Sequence, residues 1–138
     1  MTDVRLLVVL CALTVTTTAA AAVPTPVRAT MSTSSTKAFL DEPWRYTVVV
    51  KDRAGRALAA RMRLQVLSGS TVVRCWKRTR LAVCSNPRAG TWISFTGKRT
   101  GVIRWPVQSA GEKLTFQAIV VTGTRSLRLR APVAVQFP

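Results

Sequence analysis

Two cysteines, Cys75 and Cys84, have a spacing that points to a definite chemistry. The third cysteine, Cys11, lies in an apolar segment near the N-terminus, which leaves an even number downstream. Two thiolates alone are too few for a zinc site, the chain contains no histidine, and the spacing is not the Cys-x-x-Cys of redox pairs. We therefore predict one disulfide, Cys75–Cys84, that stabilises the fold by about 2.5 kcal/mol through loop closure. No metal or other cofactor is predicted.

Basic residues surround this cysteine pair. They are Arg74, Lys77, Arg78, Arg80 and Arg88. Trp76 lies among them, and Trp105, which precedes a proline at a predicted strand end, is a second aromatic candidate. Guanidinium groups match the oxygens of carboxylates and phosphates, and a tryptophan can stack on a ring or a cation. The pattern predicts an anion-binding loop, constrained by the disulfide, with Trp76 and Trp105 as aromatic contacts.

The same charge has a second interpretation. The chain carries a formal net charge of +16, and basic residues occur along its whole length rather than only near the cysteines. Such a surface supports solubility and non-specific adhesion without any evolved site. Trp44, Trp92 and Trp105 also lie on segments of alternating polarity, which favours core packing over a sugar-stacking platform. A specific anion site and a diffuse positive surface therefore both remain open.

The residues of common catalytic sites are missing. Without histidine, Ser-His-Asp triads and histidine metal sites are excluded. Beyond the N-terminal segment the acidic residues are Asp41, Glu42, Asp52 and Glu112. They fall in predicted turns and strand ends, whereas a glycoside hydrolase needs two carboxylates facing each other in a cleft. We predict that the protein is not an enzyme.

The N-terminal segment has the organisation of an export signal. Arg5 precedes an uncharged run over 6–23 that ends in alanines, and Ala20 and Ala22 supply small residues before a cleavage point. We predict a signal peptide over 1–22 and a secreted, extracytoplasmic protein with no membrane span after cleavage. The uncharged run could also just span a bilayer as an uncleaved anchor, and that alternative stays open.

The remaining chain predicts one domain built from strands. Residues 23–38 are rich in Pro, Thr, Ser and Ala and predict a spacer, followed by a single domain over 39–138. Apolar and polar residues alternate in that domain, as in half-buried strands. The segments are 44–51, 61–66, 71–76, 92–95, 102–105, 114–121, 127–130 and 133–137. Turn residues separate them, so we predict an all-β fold, an antiparallel sandwich of seven to eight strands.

One segment resembles a known family. The stretch Tyr-Thr-Val-Val-Val-Lys-Asp-Arg-Ala-Gly-Arg-Ala-Leu over 46–58 is similar to the B-strand and Asp-x-x-Gly turn of bacterial immunoglobulin-like (Ig-like) domains. The resemblance implies an Ig-like β-sandwich, and fold alone does not imply a function.

The functional prediction combines these points. We predict an exported, non-catalytic Ig-like domain at the cell envelope, a structural or binding module with electrostatic affinity for anionic polymers. The alternative is an interaction module that docks on another exported protein through an apolar patch or a strand edge. No specific nucleic-acid partner is predicted, and the oligomeric state is left open.

Overall fold

A computed structural model describes residues 26–138. Ten strands make up most of this part of the chain, and its one helical segment is a short 3-10 helix, Val107–Ser109. The strands are β1 (Val27–Thr33), β2 (Lys37–Phe39), β3 (Trp44–Asp52), β4 (Ala59–Ser68), β5 (Thr71–Lys77), β6 (Arg80–Val83), β7 (Ile93–Thr96), β8 (Lys98–Ile103), β9 (Lys113–Thr122) and β10 (Arg125–Gln136). The predicted all-β class is confirmed. The predicted signal peptide over 1–22 lies outside the described residues.

The strands form two sheets. One has the order β1-β3-β8, and the other has the order β2-β10-β9-β4-β5-β6, with β7 pairing on β4 beside β5. All pairs are antiparallel except β2 with β10. Alternate residues of both sheets belong to one buried cluster, which is what two facing sheets require. The antiparallel β-sandwich is therefore confirmed.

The sandwich begins earlier than the sequence predicted. The segment over 23–38 was expected to be a spacer, but β1 pairs along its length with β3, and Val27, Ala29 and Met31 pack against the core. These apolar residues alternate with polar ones, so a strand forms despite the Ser- and Thr-rich composition. The domain boundary predicted at residue 39 therefore moves back to Val27.

Two further strand predictions also change. The predicted loop between the cysteines contains β6, which pairs with β5. The two last predicted strands are one, because β10 continues through Pro132. Proline removes a backbone donor, and this is tolerated because β2 begins to pair with β10 only at Ala134.

The chain crosses between the sheets at Gly97, which separates β7 from β8. Its amide donates to Leu58 at 2.9 Å and its carbonyl accepts from the Val50 amide at 2.7 Å. Its φ is +74°, and a Cβ there would lie 2.6 Å from the Cβ of Ala57. Only glycine fits this junction, which brings β7 and the preceding Trp92 against β4.

Candidate functional site

The cysteines belong to a hairpin. Strands β5 and β6 pair antiparallel, with the chain reversing at Arg78 and Thr79. Cys84 follows β6 and forms a disulfide with the fully buried Cys75, with 5.8 Å between the two Cα atoms. The predicted disulfide is confirmed, but it closes a hairpin and pins the start of the next loop, 85–91, rather than constraining an open loop.

The structure does not bring the five predicted anion-binding residues into one place. Arg74 and Arg80 line a hollow of about 460 Å³ that also includes Arg104. Lys77 and Arg78 are exposed at the hairpin tip. Arg88 lies elsewhere, in loop 85–91, where its carbonyl accepts a hydrogen bond from Nη1 of Arg63. The five predicted residues are separated in space because the chain between Arg74 and Arg88 forms the β5–β6 hairpin and then enters loop 85–91.

The predicted aromatic contacts differ in burial. Trp76 is half-buried and packs against the core. Trp105 is 1% exposed, and its ring lies edge-on to Trp44 with 5.4 Å between centroids. A ring enclosed in this way cannot stack on a ligand at the surface. The prediction of Trp105 as an aromatic contact is therefore corrected, because the residue is part of the core.

A different group of cations comes together on the outer face of the larger sheet. We call this group the arginine face; it consists of Arg61, Arg63, Arg88, Arg128 and Arg130. Strand register accounts for it, because β9 pairs with β4 on one side and with β10 on the other. Arg63 and Arg128 both pair with Ile119, and Gln65 and Arg130 both pair with Gln117. Residues distant in sequence thereby form adjacent rows on one surface.

Trp92 lies within this face. The guanidinium carbons of Arg61 and Arg63 are 4.5 and 4.6 Å from its ring centroid. These are cation–π distances, at which the ring's negative faces attract the cations. Trp92 therefore holds two arginines in place, and its ring is occupied by cations rather than open to a sugar.

A chain of hydrogen bonds fixes other members of the face. Nε of Arg130 donates to Oε1 of Gln117 at 2.8 Å, and Nε2 of Gln117 donates to Oε1 of Gln65 at 3.2 Å. Nε2 of Gln65 in turn donates to the Pro87 carbonyl in loop 85–91. Both glutamine side chains are fully or almost fully buried, so their pairing meets the usual requirement for buried amides. The arrangement orients Arg130 through neutral partners and leaves its positive charge unbalanced.

No carboxylate lines this surface among the described residues. The one ion pair in the described part of the chain is Asp52 with Arg56, at 3.0 Å, in the turn after β3. Burial, and then the charges of Arg61 and Arg88, lowers the pKa of the Arg63 guanidinium. Its Nε is buried and has no hydrogen-bond acceptor within residues 26–138. The face therefore concentrates positive charge that an external anion could balance.

The sequence does not predict the arginine face because the grouping of its residues is not local. Arg61 with Arg63, and Arg128 with Arg130, alternate along their strands, which indicates one exposed face for each pair. The alternation alone does not show that β4 and β10 lie on opposite sides of β9. Within the described chain, no three His, Cys, Asp or Glu side chains gather as a metal site requires. No helix there is long and apolar enough to cross a membrane.

Comparisons with known proteins find similarity among solved structures. No protein-family model matches the chain, and no curated protein shows significant similarity to it. Among solved structures, the chain is similar to the CARDB domain of the PF1109 protein from Pyrococcus furiosus, which was crystallised in complex with di-metal ions. The identity is 14%, the match covers 83% of this chain and 96% of that chain, and the TM-score is 0.47. At this identity and TM-score, the similarity supports no inference about metals or ligands of this protein.

Proposed function

We propose that this protein is an exported, non-catalytic module of Ig-like type that binds anionic polymers of the cell envelope through the arginine face. The observation that carries the proposal is the convergence of five arginines on one sheet surface that no carboxylate of residues 26–138 lines. Export is supported by the charged, apolar and alanine-rich order of the N-terminal segment and by a disulfide, which persists in oxidising compartments.

The electrostatics of the face favour a multivalent partner. Guanidinium groups held close together repel one another, and the lowered pKa of Arg63 reflects this repulsion after the larger effect of burial. A polymer with repeated negative charges relieves the repulsion at several positions at once. Binding also releases the counterions that the free polymer holds, which makes the affinity strongly dependent on salt.

The test compares two variants that remove the same charge. In the first, the face variant, Arg61, Arg63 and Arg128 are each replaced by Gln. In the second, the hairpin variant, Lys77, Arg78 and Arg80 are each replaced by Gln. Binding of the protein and of both variants to polyphosphate and to isolated envelope material is measured across a salt series.

We expect the face variant to lose affinity and its salt slope to fall by about 2, while the hairpin variant keeps most of both. Equal losses in the two variants would show that the charge acts diffusely and would contradict the proposal. Binding that does not respond to salt would also contradict it, and would favour docking on another exported protein through an apolar patch or a strand edge.

A further inference from the structure

The arginine face contains a cavity between the sheet and loop 85–91. Its volume is about 360 Å³, and the arginines that line it are Arg63, Arg88, Arg128 and Arg130. Ile119 and Val121 of β9 line the space between the arginines of β4 and those of β10. A floor of aliphatic side chains lowers the local dielectric constant, which strengthens the attraction between the guanidiniums and a bound anion.

The arginines approach this cavity from different sides. Arg63 and Arg128 flank Ile119 across the sheet, so their backbones are about 10 Å apart, twice the spacing of neighbouring strands. Arg88 belongs to loop 85–91, which contacts the sheet through the hydrogen bonds from Arg63 and Gln65. An anion over Ile119 can therefore accept hydrogen bonds from both flanks and from the loop.

Because the arginines lie on several sides of the cavity, they favour a ligand whose oxygens point in several directions. A carboxylate presents two oxygens in one plane, and a single guanidinium satisfies both of them. A phosphate or sulfate group presents three or four oxygens in tetrahedral directions, so it can accept from arginines on several sides. Arg130 is already oriented by Gln117, which reduces the entropy lost when it binds.

We propose that this cavity binds one tetrahedral oxyanion, a phosphate or sulfate group that is either free or part of an ester, between Arg63 on β4 and Arg128 and Arg130 on β10. This inference rests on the proposed function, for which it names the class of anionic group. The cavity is larger than a phosphate ion alone, so part of the unit that carries the ester fits in it as well. Trp92 does not stack on that unit because its ring already holds Arg61 and Arg63.

The experiment is a calorimetric titration of the full chain at constant ionic strength with four probes. Inorganic phosphate and glucose 6-phosphate represent the free ion and the ester, while acetate and galacturonate supply carboxylates. The titration is run at about pH 5.5, below the second pKa of phosphate monoesters at about 6, so that all four probes carry close to one negative charge. One variant carries Arg63→Gln and Arg128→Gln. Its control carries Arg45→Gln and Arg53→Gln, which removes the same charge from exposed positions outside the cavity.

We expect both phosphates to bind at least about tenfold more tightly than the carboxylates, since each charge-assisted hydrogen bond lost weakens binding by about that factor. The cavity variant should lose this binding and the control should keep it. Tighter binding of the ester than of inorganic phosphate would identify the ester as the ligand, and the reverse order would identify the free ion; either supports a tetrahedral oxyanion.

Three results would overturn the inference: equal affinity for galacturonate, equal loss in both variants, or no binding of any probe. If the face variant still lost polyphosphate affinity in those cases, the polymer-binding function would stand without a tetrahedral site. If neither polymer nor probe depended on the arginines, both proposals would fall.

Discussion

Trp44 and Trp105 are nearly equal in burial but differ in the hydrogen bonding of their indole groups. Nε1 of Trp44 donates to the Ser35 carbonyl at 2.7 Å, whereas Nε1 of Trp105 is buried without an acceptor in the described part of the chain. Trp→Phe removes the same atoms at each position, so the loss of packing is matched. We expect Trp105→Phe to lower the free energy of unfolding by about 1–2 kcal/mol less than Trp44→Phe. Urea denaturation of the two variants tests this, and equal losses would contradict it.

The tryptophans also show how far residue types can be interpreted in the sequence. Trp92 and Trp105 are both terminal residues of short predicted strands and lie near residues that interrupt a sheet, so the sequence does not separate them. In the structure Trp105 packs on Trp44 and Phe116, while Trp92 lies on the outer face beside two arginines. What distinguishes them is which face each strand buries, and that depends on pairing with strands distant in sequence.

The β5–β6 hairpin links the disulfide to the arginine face. Sγ of Cys75 and Sγ of Cys84 both lie near the Asn86 carbonyl, at 3.8 and 3.7 Å, at the start of the loop that carries Arg88. We expect Cys75→Ala with Cys84→Ala to lower the free energy of unfolding by about 2.5 kcal/mol, because the unfolded chain is no longer cross-linked. Polyphosphate binding should also weaken, because the loop is no longer pinned over the sheet.

Arg88→Gln is the matched comparison for that effect on binding. If the disulfide acts only by positioning Arg88, the two variants should lose polyphosphate affinity by a similar factor, measured under conditions in which both are folded. Full affinity in the double cysteine variant would show that loop 85–91 keeps its position without the disulfide. Thermal denaturation, followed in parallel, separates the stability effect from the binding effect.

The turn after β3 makes stability depend on pH. The backbone amide of Arg56 donates to Oδ1 of Asp52 at 2.9 Å, and this hydrogen bond is the main cause that lowers the pKa of Asp52, with the Arg56 charge adding to it against the opposing effect of burial. A lowered pKa stabilises the fold above the unfolded value, near 3.9, and this stabilisation is lost as pH falls through the folded value. We expect Asp52→Asn to flatten the decrease of the melting temperature between about pH 5 and pH 2. An unchanged decrease would locate the acid sensitivity in other carboxyl groups.

The sequence predicted some elements well and missed others for physical reasons. Strands such as β3 and β9 alternate strongly between apolar and polar residues, so their presence was evident from local pattern. Strand β1 does alternate, but it is only half-buried and lies in a Ser- and Thr-rich segment, so its composition indicated a spacer; β6 has only four residues, too few to show a period. The order of strands was not predictable, because it depends on contacts that alternation does not encode.

At the scale of the whole molecule, fold class and net charge follow from the sequence, but the distribution of charge does not. The chain has the same +16 whether its arginines are dispersed or grouped. The arginines are grouped because β9 lies between β4 and β10. Arg63 and Arg128 therefore lie on opposite sides of Ile119 of β9, with which both of them pair. The candidate site is therefore a product of sheet order, and the predicted loop near the cysteines contributed only Arg88 to it.

The stability of the whole molecule should depend on salt. With a net charge of +16 and a single ion pair in the described residues, the fold is destabilised by repulsion among its own charges. Sodium chloride screens that repulsion over a distance of about 10 Å at 0.1 M, so we expect the melting temperature to rise with chloride. Millimolar sulfate at the same ionic strength should raise it further, because sulfate binds the folded state at the arginine face.

The size of the sulfate effect follows from linkage. At a sulfate concentration about ten times its dissociation constant, binding adds about 1.4 kcal/mol, which corresponds to roughly 5 °C for a domain of this length. The variant with Arg63→Gln and Arg128→Gln should keep the chloride response and lose the additional sulfate response. The control with Arg45→Gln and Arg53→Gln should keep both. If the two variants respond alike to sulfate, the anion acts on the protein's total charge, and grouping the arginines on one face has no consequence for binding.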